Sequence, residues 1–382
     1  MRAQRGGLFS GAGGPAGRKG VLVEPDKIKI GILGVAHTHH VENARRLLSK
    51  AGSQVFCFKR TSCEQKRNSF AGMIRGFLSK IFGVIDPGCR NSLVKFVASN
   101  DPDVVLCYWG NNIFPEIITI KKYRPSVKVI LNVVCHPMGL DPFSIFIQNM
   151  YFKLASVYCD GLIFPSEEML DYFIKSRLIN KKCSTKVIPP LLSEDYFPRT
   201  FLPDNQFTPN VVFLGRMEPG GGQLVDDVHG QLMKFLAAGI HVFHSGLEEE
   251  SLPHPFRHLF RPMGIAGLKD YATQFDAGLV IYNLAAAKDD TRFRLTIFDR
   301  LVASVSLGIP IAISDEGYDA CKSFLKSYGA VINFKDASDL KEKLNDRDNI
   351  AFLKKKARER CSFYRAETRL DELKEYIQGI LV

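Results

Sequence analysis

The stretch that decides the fold is residues 291–317, TRFRLTIFDRLVASVSLGIPIAISDEG. Apolar residues recur through its first half at helical spacing, and this period predicts one continuous helix. Gly308 has the residue type of a helix C′ position, and Pro310 prevents the helix from continuing. The segment IAIS (311–314) then predicts a buried strand, followed by a polar loop that ends at Gly317. Ligands bind at the carboxyl ends of strands in open α/β sheets, so this loop is predicted to border a binding site.

Strand-like and helix-like segments alternate on both sides of a proline-rich stretch, which predicts an α/β fold with two facing Rossmann-like domains and a cleft between them. Prolines 189, 190, 198, 203 and 209 mark the boundary. The predicted division is a disordered leader at 1–26, a first domain at 27–198, a linker at 199–209, a second domain at 210–349 and a charged helical tail at 350–382.

The composition indicates an ordinary globular protein, with 46% apolar and 24% charged residues among 382. No apolar run approaches the roughly 18 residues of a membrane-spanning helix, and the first residues lack the apolar core of a signal peptide. Nine cysteines occur without C-x-x-C pairs, which favours a reducing cytoplasm.

The formal net charge of +11 indicates attraction to anions. No zinc knuckle, helix-turn-helix signature or arginine-rich block supports nucleic-acid binding, so nucleic acid is excluded as a partner. Three interpretations of the positive charge remain: attraction to the phosphate groups of a small ligand, attraction to an anionic membrane, and a basic surface without a specific partner.

Residues 66–85 predict a helix with a wide apolar stripe and basic residues elsewhere. Such a helix can lie in an anionic membrane interface, which makes the inner face of a membrane an expected partner. A helix that covers the first sheet needs the same stripe, so both interpretations stand.

The first predicted strand runs into Gly31 and Gly34, which allow a tight strand-to-helix turn. The full G-x-G-x-x-G motif is absent, which counts against a nicotinamide enzyme. Three histidines follow, including His37 and His39. Substrate contact, a plain loop and metal binding are all compatible with these histidines, but no nearby carboxylate or cysteine completes a ligand set, so no metal site is predicted.

Two motifs carry a resemblance to a known family. The segment Leu-Gly-Ile-Pro around Gly308 and the apolar strand that ends in Gly215-Arg216 resemble the second domain of nucleotide-sugar-dependent glycosyltransferases of the two-domain GT-B architecture, in particular their retaining group. The resemblance implies that the second domain binds the nucleotide sugar and the first domain binds the acceptor. It also implies that the final helix crosses back over the first domain.

The resemblance implies roles for individual residues. Arg216 would bind the donor diphosphate, because a guanidinium forms two hydrogen bonds to phosphate oxygens. His136, at the end of a buried strand, would face the cleft and contact the donor sugar. Gly317 would lie beside the donor. Gly34, His37 and His39 would lie on the acceptor side.

The sequence departs from the family at its acidic motif. The retaining group carries a glutamate five residues before the helix-ending glycine, where this chain has Ala303. Asp299 lies one turn earlier and is expected to replace it on ribose hydroxyls. Arg294 or Arg300 would supply the charge of a lysine that is missing after Arg216, where the chain has a triple glycine at 220–222. A solvated Asp299–Arg300 pair without a ligand is the alternative.

The function implied by the resemblance is transfer of a sugar from a nucleoside diphosphate sugar to a hydroxyl of a carbohydrate or lipid-linked acceptor, with retention at the anomeric carbon. The expected cofactor is none, because the nucleotide sugar is the substrate. A nonenzymatic nucleotide- or sugar-binding protein and a GT-B-type epimerase are the alternatives. The expected location is the cytoplasm, or the inner face of the membrane.

Overall fold

The computed structural model describes residues 28–34, 39–58, 87–108, 113–137, 141–215, 225–245, 254–261 and 263–382, apart from the side chains of residues 39, 87, 265 and 266. In this part of the chain, two parallel sheets of six strands lie between flanking helices. The predicted α/β fold class is therefore confirmed. The first sheet lies within 29–187 and the second within 210–334, while the domain boundaries given above stay predictions.

The first sheet is ordered β2-β1-β3-β4-β5-β6, with every pairing parallel. The order in which successive strands are added reverses between β1 and β3, and ligands of such sheets bind outside this switch point. The strands are β1 (Lys29–Leu33), β2 (Gln54–Phe58), β3 (Val104–Tyr108), β4 (Lys128–Asn132), β5 (Gly161–Phe164) and β6 (Ser184–Val187). The helices are α1 (His39–Lys50), α2 (Pro87–Asn100), α3 (Ile113–Tyr123), α4 (Pro142–Ser156) and α5 (Glu167–Lys175).

The second sheet is ordered β12-β11-β10-β7-β8-β9, the doubly wound order with its switch point between β7 and β10. Its strands are β7 (Asn210–Phe213), β8 (His241–Ser245), β9 (Arg257–Phe260), β10 (Ala277–Val280), β11 (Ile311–Ser314) and β12 (Val331–Phe334). The helices from here to the end of the chain are α6 (His229–Ala237), α7 (Ile265–Leu268), α8 (Thr291–Leu295), α9 (Asp299–Ser306), α10 (Asp319–Leu325), α11 (Ala337–Asn345), α12 (Arg347–Arg360) and α13 (Leu370–Leu381).

The prediction of one continuous helix before Gly308 was wrong. The helix stops at Leu295 and restarts at Asp299, because the intervening backbone is extended, with φ −94° and ψ 137° at Thr296 and φ −83° and ψ 146° at Phe298. Ile297 is nevertheless buried in the same core cluster as its neighbours on both helices. The helical spacing of apolar residues therefore continues across the break in the helix, so the spacing alone does not reveal the break.

The predicted end of that helix is correct. Gly308 has φ +66°, a left-handed conformation that favours glycine. A Cβ at this position would lie 2.9 Å from Cε1 of Phe201. The strand Ile311–Ser314 follows as predicted, with its first three residues buried.

The end of the chain returns to the first sheet. The hydroxyl of Tyr376, on α13, accepts a hydrogen bond from the Leu162 amide at 3.0 Å and lies 2.9 Å from the Ser184 carbonyl oxygen. Ile377 and Ile380 pack into the core cluster that contains β1 and β3. The last helix thus packs on the first sheet, whereas α12 is tied to the second domain by Arg347, whose guanidinium donates two 2.8 Å hydrogen bonds to the Asp276 carboxylate.

Substitution of Gly308 by alanine should lower the free energy of unfolding by about 1–3 kcal/mol, because the left-handed backbone and the Phe201 ring both oppose a Cβ. The matched control is Gly379→Ala: this glycine lies inside α13, and a Cβ there meets nothing within 4 Å. That control should be neutral or stabilising by up to about 1 kcal/mol. Urea unfolding of both variants gives the comparison, and equal effects would contradict the assignment of Gly308.

Candidate functional site

The break between α8 and α9 lies against the carboxyl edge of the first sheet. The hydroxyl of Ser166, just after β5, donates a hydrogen bond to the Leu295 carbonyl oxygen at 3.1 Å. The hydroxyl of Thr296 lies 3.5 Å from the sulfur of Cys135, which follows β4. The segment that was predicted to be helical therefore joins the two domains at the point where the strands of the first sheet end.

A histidine and an aspartate meet across the two domains beside this segment. His40 Nε2, at the start of α1, lies 3.0 Å from Oδ1 of Asp299, the first residue of α9. The side chain of Asp299 is 57% exposed and that of His40 is 15% exposed. A carboxylate at a helix N-terminus is favoured by the helix dipole, so Asp299 is stabilised in its charged form where the two domains approach each other.

Arg300 follows Asp299 but points into the second domain. Its side chain is buried at 8% exposure, and Nη1 donates a 2.6 Å hydrogen bond to the carbonyl oxygen of Ile281, just after β10. Its guanidinium carbon lies 4.7 Å from the ring centroid of Phe213 at the end of β7 and 3.9 Å from that of Tyr282. The guanidinium thus occupies the switch point between β7 and β10.

Charged groups of both signs surround this buried arginine. Burial raises the pKa of the Tyr282 hydroxyl, and the charges of Arg300, Asp226, Arg292 and Asp299 all act on it. Within the described residues, no carboxylate lies within ion-pair distance of Arg300. The arginine is held by two aromatic faces and one carbonyl oxygen, which leaves its positive charge without a directly paired anion in this part of the chain.

Gly215 lets the backbone pass directly over this guanidinium. A Cβ at Gly215 would lie 2.6 Å from the Phe213 ring and 3.0 Å from the guanidinium carbon of Arg300. Both distances are too short for a side chain, so the glycine is required by the close approach. Arg216, predicted to bind the diphosphate, and the triple glycine at 220–222 lie outside the described residues.

Gly34, predicted to lie on the acceptor side, has a packing role. A Cβ at Gly34 would lie 2.7 Å from Val41 Cγ2 and 3.2 Å from Tyr108 Cβ, so glycine allows α1 to approach β3 closely. His37 and the side chain of His39 lie outside the described part of the chain.

A cavity of about 80 Å³ lies between α1, the ends of β3 to β5 and the returning helix α13. Its polar lining includes His40, Asn43, Tyr108, Asn132 and Arg369, and the remaining lining is mostly apolar. The imidazole that meets Asp299 therefore also borders a cavity of the first domain.

Arg294 and Gly317 have local structural roles. Nε of Arg294 donates a 2.9 Å hydrogen bond to Oδ2 of Asp319, and both side chains are exposed. This ion pair raises the pKa of Arg294 and commits its charge to a partner within the second domain. Gly317 has φ +70°, and Tyr318 has φ +59°, so the loop after β11 turns through two left-handed residues. The proposed donor contacts of Arg294 and Gly317 stay predictions.

The sequence suggested that His136 faces the cleft, but the structure does not place it in open space. Its side chain is fully buried, packs 4.8 Å from the ring centroid of Phe173, and Nε2 lies 2.7 Å from Asn149 Oδ1. Burial lowers the pKa of His136 to about 4, so the imidazole is neutral near neutral pH. A neutral and enclosed side chain has no charge to offer a donor sugar, and the catalytic role of His136 stays a prediction without support from these contacts.

His40 is the residue that sequence reasoning missed. It is the second residue of α1, which begins at His39. The signal in the sequence was the group of histidines after the first strand, but only the contact with Asp299, 259 positions away, shows which one reaches the second domain. No set of three or more histidine, cysteine, aspartate and glutamate side chains that could hold a metal ion occurs among the described residues. None of the helices described is both long and apolar enough to span a bilayer.

The two facing sheets have the GT-B architecture, and solved structures of this class resemble the chain over almost its whole length. Sucrose-phosphate synthase from Thermosynechococcus elongatus matches with a TM-score of 0.60 and 12% identity, covering 92% of this chain and 99% of that one. Anabaena HepE in complex with UDP-glucose matches with a TM-score of 0.60 and 11% identity over 92% and 99% of the two chains.

A glycosyltransferase from Rickettsia africae matches with a TM-score of 0.60 and 12% identity, over 93% of this chain and 99% of that one. No protein-family model and no curated protein matches the sequence. At these identities the likeness establishes the fold and leaves the reaction to be argued from the site.

Acidification should destabilise the protein partly through His136. The folded-state pKa of about 4 lies below the ordinary histidine value of 6.5, so between these values the unfolded state binds more protons and stability is lost as the pH falls. From about pH 7 to about pH 5 His136 alone should contribute about 2 kcal/mol of this loss. Burial also lowers the pKa of His244 and acts in the same direction.

The measurement is urea unfolding of the parent protein and of His136→Gln over that pH range. Glutamine has no titrating group, so the variant should have a lower stability near neutral pH but a shallower dependence on pH. Parallel curves for the two proteins would show that His136 ionises normally in the folded state.

Proposed function

We propose that this protein transfers a sugar from a nucleoside diphosphate sugar to a hydroxyl acceptor, and that Arg300 binds the donor diphosphate. The observation that carries the proposal is the buried guanidinium at the switch point between β7 and β10, between the rings of Phe213 and Tyr282. Ligands of doubly wound sheets bind at this point.

The environment of Arg300 favours an anionic ligand. Taking a cation out of water is costly unless an anion or several hydrogen bonds compensate it. Within the described residues, the guanidinium of Arg300 donates one hydrogen bond to protein. A phosphate that binds there therefore meets a guanidinium that is already positioned and largely desolvated. A guanidinium forms two parallel hydrogen bonds to phosphate oxygens, which suits a diphosphate.

Asp299 and Arg300 can recognise different parts of one donor. Successive residues on a helix point about 100° apart, and here Asp299 points to His40 while Arg300 points to β7 and β10. In the proposal the diphosphate lies on the arginine side, and the exposed Asp299 carboxylate accepts hydrogen bonds from ribose hydroxyls. His40 reduces the repulsion between Asp299 and the diphosphate through its hydrogen bond.

The acceptor is proposed to bind on the side of the first domain, where His40 borders the cavity beneath α13. Transfer breaks the bond between the anomeric carbon and the diphosphate oxygen and forms a bond from that carbon to the acceptor oxygen, which loses its proton. The departing diphosphate gains negative charge, and a positioned guanidinium stabilises that charge more in the transition state than in the ground state. Retention at the anomeric carbon is proposed on the sequence resemblance alone.

The comparisons support the nucleotide-sugar part of the proposal. HepE, which shares the fold, was solved in complex with UDP-glucose and with UDP. A uridine nucleotide is therefore the first donor to test. The proposed location is the cytoplasm. Its reducing environment keeps cysteines free, and the described cysteines of this protein are free.

Replacement of Arg300 by lysine should weaken UDP binding by about tenfold or more, because lysine keeps the charge but cannot form the paired hydrogen bonds of a guanidinium. The matched control is Arg294→Lys, on the preceding helix, whose guanidinium is already bound to Asp319. Binding should change in that control by less than about threefold. Titration calorimetry with UDP, at a temperature at which both variants are folded by circular dichroism, gives the comparison.

Two results would count against the site. Equal UDP affinity in Arg300→Lys and in the parent would remove Arg300 from the diphosphate site. A large loss in Arg294→Lys with no loss in Arg300→Lys would move the site to the loop after β11.

Turnover separates the transferase from a binding protein. The presence of Ala303 at the position of the family's glutamate specifically favours a protein that binds the donor without transfer. We expect release of UDP from UDP-sugars to rise when acceptors are supplied, and to fall by about tenfold or more in Asp299→Asn if its carboxylate binds the donor. Tight UDP-sugar binding with no release across a panel of acceptors would support the binding protein, and isomerised UDP-sugar without acceptor would support an epimerase.

A further inference from the structure

The helix α4 has two faces of opposite burial. Its inner face carries Ile145, Phe152 and Ala155, all buried, and Phe152 packs 4.4 Å from the ring centroid of Phe173 on α5. Asn149, on the same side, lies 2.7 Å from Nε2 of His136 and donates a 3.0 Å hydrogen bond to the Tyr172 hydroxyl. This inner face accounts for the packing of α4 on the first domain.

The outer face of α4 is apolar and exposed. Of the twelve large apolar side chains that the described residues leave exposed, five follow one another at helical spacing along this face, and the neighbouring helix α5 adds Ile174 at 57%. The five are Phe143 at 72%, Phe146 at 58%, Met150 at 47%, Leu154 at 60% and Val157 at 61% exposure. Exposed apolar side chains occur singly on most proteins, but a continuous stripe of this kind marks an interaction surface.

Exposed basic side chains occur on α4 and on the neighbouring helix α5 with the loop after it. Lys153 is exposed on α4 itself, and the end of α5 with the loop after it exposes Lys175, Arg177, Lys181 and Lys182. Two exposed acids, Glu167 and Asp171, lie on α5, and Asp171 is 3.7 Å from Lys175. The balance of these exposed charges is positive, in keeping with the net charge of +11.

We propose that the outer face of α4 docks on the surface of an anionic lipid bilayer. An amphipathic helix with aromatic and aliphatic residues on one side and cations beside them lies in the membrane interface, where the apolar side chains enter the acyl boundary and the cations contact lipid phosphates. The exposed cations of α4, α5 and the loop after α5 outnumber the exposed acids, and this charge complements the phosphates of an anionic lipid surface. Because α4 spans 15 residues, its face is about 22 Å long.

The docking face begins at the cleft. Asp141 caps the N-terminus of α4, and the hydrogen bonds that its carboxylate accepts from the hydroxyl and the amide of Ser144 lower the pKa of Asp141. The charge of Lys288 in the second domain acts in the same direction. The start of the helix therefore lies close enough to the second domain to feel its charges. With α4 on a membrane, a hydroxyl acceptor carried by a lipid would reach the cleft from the bilayer; this last step rests on the proposed function, whereas docking itself does not.

Sedimentation with vesicles tests the docking. The full chain should pellet with vesicles of phosphatidylglycerol and phosphatidylcholine at low salt, and less with phosphatidylcholine alone or at high salt. Phe146→Glu and Leu154→Glu should each lower vesicle binding by about tenfold or more, since each removes apolar contact and adds a charge of the wrong sign. The matched control is Phe363→Glu, a phenylalanine of 66% exposure in the 3-10 turn after α12, which should bind as the parent does.

Each outcome decides between α4 and its alternatives. Failure of the parent to pellet overturns the proposal, as does equal binding by the parent and by both α4 variants, which would assign docking to another segment such as 66–85. A third outcome would identify the face as a contact between two copies of the chain. In that case the parent is a dimer in solution, Phe146→Glu is a monomer, and neither protein pellets with vesicles. UDP binding by the same variants should equal that of the parent. The two measurements therefore test the proposed donor site and the proposed membrane docking independently.

Discussion

The short extended link between α8 and α9 is the constraint on which the site depends. Leu295 and Thr296 lie against the loops after β5 and β4, and the helix that restarts at Asp299 carries one residue to the first domain and the next into the second. A continuous helix through this region would place Asp299 within a helix instead of at its N-terminus. The contact with His40 and the position at the positive end of the helix both follow from the break.

The buried Arg300 is stabilised in the second domain without a directly paired anion among the described residues, as the proposed donor site requires. Two aromatic faces and the Ile281 carbonyl oxygen stabilise the guanidinium of Arg300 without neutralising it. A carboxylate in direct contact would have stabilised the folded domain more but would have competed with a phosphate for the same hydrogen bonds. Gly215 contributes by keeping side-chain atoms away from the space above the guanidinium.

The strands were largely predictable from the sequence because parallel strands buried on both faces are short runs of β-branched and aliphatic residues. Strand β9 was missed because Arg257–Phe260 is half-buried at the edge of the sheet and reads as polar. The break at Thr296–Phe298 was missed because Ile297 keeps the helical period while its backbone does not. Periodicity reports which side chains are buried, and an extended link between two helices that pack on one core preserves that pattern.

The sequence predicted the types of the candidate functional residues but not how deeply their side chains are buried. Arg300 was one of two arginines expected to supply charge, and its sequence neighbours do not reveal that Phe213 and Tyr282 enclose it. His136 follows a strand as a cleft residue does, but Phe152 and Phe173, from two later helices, close over it. In both cases the side chains that decide exposure come from distant parts of the chain, so a single sequence gives the residue type and the structure gives its surroundings.

In the described part of the chain, the two segments that cross between the domains run side by side. Leu192 and Arg365 form a parallel bridge, the Ala366 amide donates a 2.8 Å hydrogen bond to the Leu192 carbonyl oxygen, and the guanidinium of Arg365 lies 5.3 Å from the Phe197 ring centroid. The hydrogen bond between His40 and Asp299 lies away from these crossings in the chain and connects the domains at the carboxyl edges. Together with the Ser166–Leu295 and Thr296–Cys135 contacts, it holds the carboxyl edge of the first sheet against the segment between α8 and α9.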